Sequence, residues 1–109
     1  MTLRATGRTR LYLGDFVAAR ALLERCLGLA DPAHRIYALV LADLAWTLAF
    51  LGYIDQARSR LNEALSEARG LRHAQTLADV LVMASAVELI TGSPEVERHA
   101  EELLVLSTE

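Results

Sequence analysis

One phrase occurs twice in the chain and constrains its architecture more than any single residue does. Residues 13–20 read LGDFVAAR, and residues 51–58 read LGYIDQAR. A weaker third copy begins at residues 91–94, TGSP. Each copy follows an apolar run and opens an amphipathic one, and self-similarity of this kind is typical of stacked helical repeats. The phrase therefore predicts helical hairpins, each with a glycine at its turn.

The spacing of apolar residues predicts six helices and no strand. Their expected bounds are residues 2–13, 16–29, 33–51, 54–69, 73–90 and 94–107. Helices three and five are apolar nearly all round, whereas helices two, four and six have one apolar stripe each. This alternation is typical of a solenoid with inner and outer helices. We expect an all-α fold in a single domain, 1–109, with antiparallel hairpins (units 1–31, 33–70 and 73–108) stacked as a short right-handed solenoid.

Local signals refine the expected ends of the helices. Asp15 is placed to cap helix two, and Gly70 to end helix four. Ser93 is interpreted as the N-cap of helix six, with Pro94 as its first residue. The apolar stripes of helices four and six are predicted to be, respectively, Ile54, Ala57, Leu61, Ala64, Leu65 and Ala68, and Val96, Ala100, Leu103 and Leu104.

Composition excludes several classes of protein. The net charge is −3, and the eleven basic residues, all Arg, form no basic run, so nucleic-acid binding is not expected. A lone cysteine, Cys26, fits a reducing compartment and is expected to be buried. No apolar leader follows Met1, and residues 36–51 are too short and too charged, through Asp43, to span a bilayer. We therefore expect a cytoplasmic protein without membrane contact.

Residues that could carry chemistry are sparse. His34, His73 and His99 are scattered, and His99, near Glu95 and Glu102, is predicted to lie on a solvated polar face. No glycine-rich phosphate loop follows a strand, since no strand is predicted. We expect no enzymatic activity, no cofactor and no metal site.

The second unit resembles the tetratricopeptide (TPR) repeat. Leu44, Ala45 and Leu48 match the large-small-large positions of its helix A, and Gly52 matches the turn glycine. In helix B the matching positions are Ala57, Leu61, Ala64 and Leu65. The first unit matches through Gly14, Phe16, Ala19, Leu23, Cys26 and Leu27.

Residues 7–29, 44–69 and 71–78 also resemble the helical repeats of large bacterial signalling proteins, which join a class III cyclase or a protein kinase to an AAA-type ATPase. Related repeats occur in maltose-regulator-like transcription activators. The resemblance covers most of the chain and implies a fragment of a larger protein.

In TPR stacks the A helices line a concave groove, and the resemblance implies which residues point into it. The candidate site residues are Arg4, Arg8, Tyr12, Trp46, Phe50, Asp79, Val82 and, beside them, Ala86. An alternative for Trp46 and Phe50 is a place in the core, since aromatic residues four apart on a helix are usually buried. Asp43 and Asp79, inside apolar helices, each require water, a cap or a cation, with Arg8 or Arg35 as possible partners.

Three functions remain open from the sequence. The first is a non-catalytic protein-interaction or regulatory domain that binds a partner protein or adjacent domains of its parent protein. The second is a small-molecule sensor with its ligand in the groove. The third is self-association, and a homodimer is expected because apolar surfaces of an isolated repeat array promote pairing.

Overall fold

A computed structural model describes residues 2–108, and Met1 and Glu109, the two ends of the predicted domain, lie outside it. Within this range there are six helices and no strand, which confirms the all-α prediction. Every helix end lies within two residues of its expected position. The helices are α1 (Leu3–Tyr12), α2 (Phe16–Leu29), α3 (Arg35–Phe50), α4 (Ile54–Leu71), α5 (Ala74–Thr91) and α6 (Val96–Thr108).

The helices pack in the order in which they occur in the chain. Each one packs on the next, α3 also packs on α5, and α3 touches α1. Helices α2, α4 and α6 do not pack on one another in the described range. The result is a body of 36 × 29 × 21 Å with α3 at its centre.

Burial follows from these positions. Eleven of the sixteen residues of α3 are buried, as expected for a helix flanked by neighbours on several sides. On α4 the buried residues form one stripe, and they are the predicted ones from Ala57 to Ala68. In the second and third hairpins, the first helices, α3 and α5, thus bury residues on a broad face. Helix α4, the second helix of its hairpin, buries only a narrow stripe.

The repeated glycines form the turns. Gly14, Gly52 and Gly92 have φ values of 81°, 87° and 71°, in the left-handed region that favours glycine. After the first turn, the Asp15 side chain accepts a hydrogen bond from the backbone N–H of Ala18, which confirms the predicted cap.

The roles predicted for two residues at helix ends, Gly70 and Pro94, are wrong. Gly70 lies inside α4, which extends to Leu71. The residue that caps this end is Arg72, a non-glycine residue with a φ of 53°. Helix α6 begins at Val96 rather than at Pro94. The backbone N–H of Ser93 donates to the Glu88 carbonyl oxygen at 2.9 Å, so Ser93 takes part in the C-terminal cap of α5. The Ser93 hydroxyl oxygen also accepts a hydrogen bond from the backbone N–H of Glu95 at 3.3 Å, so the predicted capping role of Ser93 is confirmed in part.

The predicted stripe of α6 is also partly wrong. Ala100 is exposed and Leu104 is 64% exposed. The side that faces α5 instead contains the buried His99, and Leu103 and Leu106 pack against the core. The stripe is rotated because His99, a polar residue by type, takes one of its positions.

Helix α5 has the length and mean hydropathy of a membrane span, and among residues 2–108 no other helix does. Buried core helices have the same properties. Here α5 packs against α3, α4 and α6 and contains Asp79 and Glu88, and 39% of it is buried.

Two glycines that are both free of close neighbours allow a matched test of the turn geometry. A Cβ atom would meet nothing within 4 Å at either Gly52 or Gly70. Gly52→Ala is expected to lower the free energy of unfolding by about 1 kcal/mol or more because alanine is strained in the left-handed region. Gly70→Ala is expected to raise it by about 0.5–1 kcal/mol because Gly70 is helical. Urea denaturation measures both values, and shifts of the same sign in both variants would contradict this account.

Candidate functional site

A cavity of about 250 Å³ lies between the first helices of the three hairpins. Four of the predicted site residues line it, together with Leu39 and Met83; the four are Arg4, Arg8, Asp79 and Val82. We call the exposed side of α1, α3 and α5 around this cavity the A-helix face.

Aromatic side chains extend the A-helix face away from the cavity. The Tyr12 ring packs edge-on against Trp46, with 6.0 Å between centroids, and Trp46 lies 6.0 Å from Phe50. Phe50 in turn stacks on Phe16 at 4.9 Å with an interplanar angle of 7°. The predicted Tyr12, Trp46 and Phe50 are therefore brought together. Phe16 is not among the predicted site residues, although its place in the repeated phrase after Gly14 could have indicated it.

Arg8 connects the cavity to the aromatic cluster. It lines the cavity, donates a hydrogen bond to the Tyr12 hydroxyl and lies with its guanidinium carbon 5.5 Å from the centroid of the Tyr12 ring. The seven predicted residues thus form one continuous surface. Ala86, on the same helix as Val82, is half-buried.

The surface is accessible at several large side chains. Tyr12 is 63% exposed, Val82 54% and Phe50 45%, whereas Trp46 is half-buried and packs against the hydrophobic core. The alternative of a core position is therefore correct in part for Trp46 and wrong for Phe50. Trp46 supports the face from below, and its Nε1 atom is buried without a hydrogen-bond partner in the described part of the chain.

Asp43 lies beneath this surface, fully buried in the middle of α3. Its Oδ2 atom accepts a hydrogen bond from Arg4 Nε at 2.8 Å, and its Oδ1 atom lies 3.7 Å from Arg8 Nε. The predicted partner Arg8 is confirmed, but Arg4 is the closer one and Arg35 is exposed and forms no ion pair with Asp43. Arg35 is eight residues earlier on the same helix, about 12 Å along its axis, whereas Arg4 is on the adjacent α1.

Burial dominates the electrostatics of Asp43. It raises the pKa of this carboxyl group, and the nearby guanidinium groups of Arg4 and Arg8 offset only part of the increase. The geometry agrees, because Asp43 Oδ1 and Arg8 Nε are both buried and neither has a hydrogen-bond partner in the part described. Two cations therefore face one carboxylate, and the Arg8 side chain, which is 32% exposed, also reaches the A-helix face.

Asp79 satisfies its charge differently. It is exposed, and its Oδ1 atom accepts a hydrogen bond from Gln75 Nε2 at 2.9 Å. Solvent exposure and the Gln75 amide therefore stabilise the Asp79 carboxylate, which forms no ion pair with any residue between 2 and 108.

The prediction that His99 lies on a solvated polar face is wrong. His99 and Glu88 are each 3% exposed, and His99 Nδ1 is 2.8 Å from both carboxylate oxygens of Glu88. The sequence pattern of α6 does not reveal the pair of His99 and Glu88 because Glu88 lies on α5. The signal available was that Glu88 interrupts an otherwise apolar helix and so requires a partner.

Other reactive groups do not combine into a site. Among residues 2–108 no group of three His, Cys, Asp or Glu side chains is arranged to hold a metal ion. Cys26 is free and half-buried rather than buried as predicted, and this partial burial raises the pKa of its thiol. Cys26 therefore favours the uncharged thiol, as expected for a packed position.

Comparisons of the chain with models of protein families, with curated proteins and with solved structures find no match.

The raised pKa of Asp43 gives a pH test of the site. Because the pKa in the folded protein is above its unfolded value, the favourable contribution of this group is present at low pH and is lost as the pH rises through the folded pKa. Asparagine does not titrate. The stability of Asp43→Asn minus that of the wild type is therefore expected to increase between about pH 3 and about pH 7.

The measurement is the free energy of unfolding from urea denaturation at several pH values. A stability difference for Asp43→Asn that decreases with pH would show that the arginine ion pairs outweigh burial.

Proposed function

We propose that this chain is a non-catalytic, TPR-like helical repeat domain that binds a segment of a partner protein on its A-helix face. The observation that supports this most directly is that residues from three separate helices line one cavity next to a partly exposed aromatic cluster. The packing order of the helices supports a short solenoid, because each hairpin contacts only its sequence neighbours.

The chemistry of the face indicates what kind of segment would bind. Arg8 offers a guanidinium group that is about one third exposed, and a carboxylate is its best-matched partner. Tyr12 and Phe50 offer exposed aromatic area, and Tyr and Arg are enriched among residues that dominate binding energy. We infer a segment that combines an acidic residue with a large apolar one.

The size of the cavity favours a peptide over a metabolite. At about 250 Å³ it is smaller than the roughly 300–1,000 Å³ of typical small-molecule sites, but it can hold one side chain of a longer segment. The resemblance to repeats of bacterial signalling proteins supports a regulatory role inside a larger cytoplasmic protein. In that setting the bound segment belongs to a partner protein or to an adjacent domain.

A selection from a random peptide library tests this function. Enriched peptides are expected to contain an acidic residue and a large apolar residue, and to change the fluorescence of Trp46, the one tryptophan in the chain. Tyr12→Ala is expected to weaken their binding by about 2 kcal/mol, roughly 30-fold, because it removes an aromatic side chain that is 63% exposed on the face.

Tyr53→Ala is the matched control for this selection. Tyr53 is similarly exposed, at 46%, but it lies at the turn before α4 and contacts Arg20 rather than the A-helix face. Equal losses in the two variants would contradict binding at the A-helix face. A metabolite that raises the melting temperature while no peptide is enriched would favour the sensor function instead.

A second function, self-association, is favoured by the exposed side of α5. Gly52 and Gly92 are 40 residues apart, so Val82 and Leu89 on α5 correspond to Ala42 and Ala49 on α3. The two alanines are buried, whereas Val82 is 54% and Leu89 72% exposed. The side of α3 that contains Ala42 and Ala49 is covered by the packing of this same chain. In a homodimer, an apolar helix of a second copy would cover the corresponding exposed side of α5.

Light scattering across a concentration series tests the homodimer. The wild type is expected to have the mass of a dimer at high concentration, and Leu89→Arg is expected to shift it to a monomer by placing a charge in the apolar interface. Ala21→Arg, an exposed position on α2, which does not pack on α5, is the control and should remain dimeric. A monomeric wild type at the highest concentration would rule out this function.

A further inference from the structure

A second and larger cavity, of about 690 Å³, lies between α4 and α6. Both helices pack on α5, but their backbones do not approach each other in the described range, which leaves a cleft between them. We call it the α4–α6 cleft. It shares no lining residue with the cavity of the A-helix face, and its volume is within the range of small-molecule sites.

The buried pair Glu88 and His99 lines the cleft. The His99 side chain is 4% exposed, and its Nδ1 atom is occupied by the Glu88 carboxylate. Its Nε2 atom has no hydrogen-bond partner anywhere in the part of the chain that the structure describes. Nearly all buried polar side-chain atoms in proteins have a partner, so this imidazole adds unused hydrogen-bonding capacity to the wall of the cleft.

Three arginine side chains line the same cleft, and two of them are neutralised. Arg69 pairs with Glu102 at 2.7 Å, which links α4 to α6, and Arg98 pairs with Glu95 at 2.6 Å. These salt bridges compensate the charges of the two guanidinium groups and leave the third arginine as the one in the lining without a carboxylate partner among residues 2–108.

That third arginine is Arg58. It donates a hydrogen bond to the carbonyl oxygen of Thr91 at 3.1 Å, and it forms no ion pair with any residue between 2 and 108. A guanidinium group has a planar fork of donors that matches a carboxylate or a phosphate. The adjacent lining is apolar at Pro94, which is exposed, and at Leu61 and Leu65, which are 3% and 4% exposed and form the floor of the cleft.

We propose that the α4–α6 cleft binds a small organic anion whose carboxylate or phosphate group pairs with Arg58 and whose apolar body packs on Pro94 above the floor formed by Leu61 and Leu65. His99 supplies a hydrogen-bonding side chain in the wall, and Arg69 closes the cleft through its salt bridge to Glu102. This site involves none of the residues of the A-helix face, so it does not depend on the peptide-binding function.

Nuclear magnetic resonance of the whole ¹⁵N-labelled chain tests the proposal. Sodium benzoate, and inorganic phosphate in a separate titration, are added at constant ionic strength maintained with sodium chloride. At least one of the two is expected to cause saturable shifts in the backbone amide signals of Arg58, Ser93 and Glu95. Saturation by benzoate alone identifies a carboxylate ligand with an apolar body, and saturation by phosphate alone identifies a phosphate ligand.

Two arginine variants on α4 separate a specific site from general charge effects. Arg58→Gln is expected to weaken binding of the saturating anion about tenfold, because one charge-assisted pair is lost. Arg60→Gln, whose arginine pairs with Glu63 and does not line the cleft, should leave the affinity unchanged. The amide spectrum of each variant shows that it is folded. Failure of both anions to saturate, or equal weakening in the two variants, would overturn the proposal.

Discussion

The burial of α3 on several sides is the constraint on which the rest of the structure depends. Four of its buried positions are alanines, Ala38, Ala42, Ala45 and Ala49, and small side chains allow neighbouring helices to approach closely. Around this helix the chain places α1 and α2 before it and α4 and α5 after it. The A-helix face is built on α3. The α4–α6 cleft opens where two outer helices pack on α5, which itself packs on α3.

Asp43 shows how a polar residue is accommodated in such a helix. A buried carboxylate is unfavourable without a partner, and the nearest element able to supply one is α1. Arg4 and Arg8 provide the charge while remaining 21% and 32% exposed, so their long side chains extend from solvent to the core. The same arginines thereby belong to the core and to the candidate site.

The sequence predicted what depends on local pattern and left open what depends on contacts between helices. The helices, their glycine turns and the stripe of α4 follow from spacing along the chain. The closer partner of Asp43 and the burial of His99 do not, because Arg4 and Glu88 lie on other helices whose packing no local pattern specifies. The resemblance to TPR repeats predicted the candidate residues of the A-helix face on the first helices of the hairpins. Phe16 matches the same repeat pattern but begins α2, and it joins the face only through its stacking on Phe50.

The order in which the helices pack also bears on how the chain folds. Since contacts join helices that are adjacent or nearly adjacent in sequence, little loop-closure entropy opposes their formation, and chains of this kind fold on short timescales. The terminal helices have fewer neighbours than α3, so amide hydrogens of α1 and α6 should exchange through local opening before those of α3. An array of this kind can loosen at its ends while its centre remains folded.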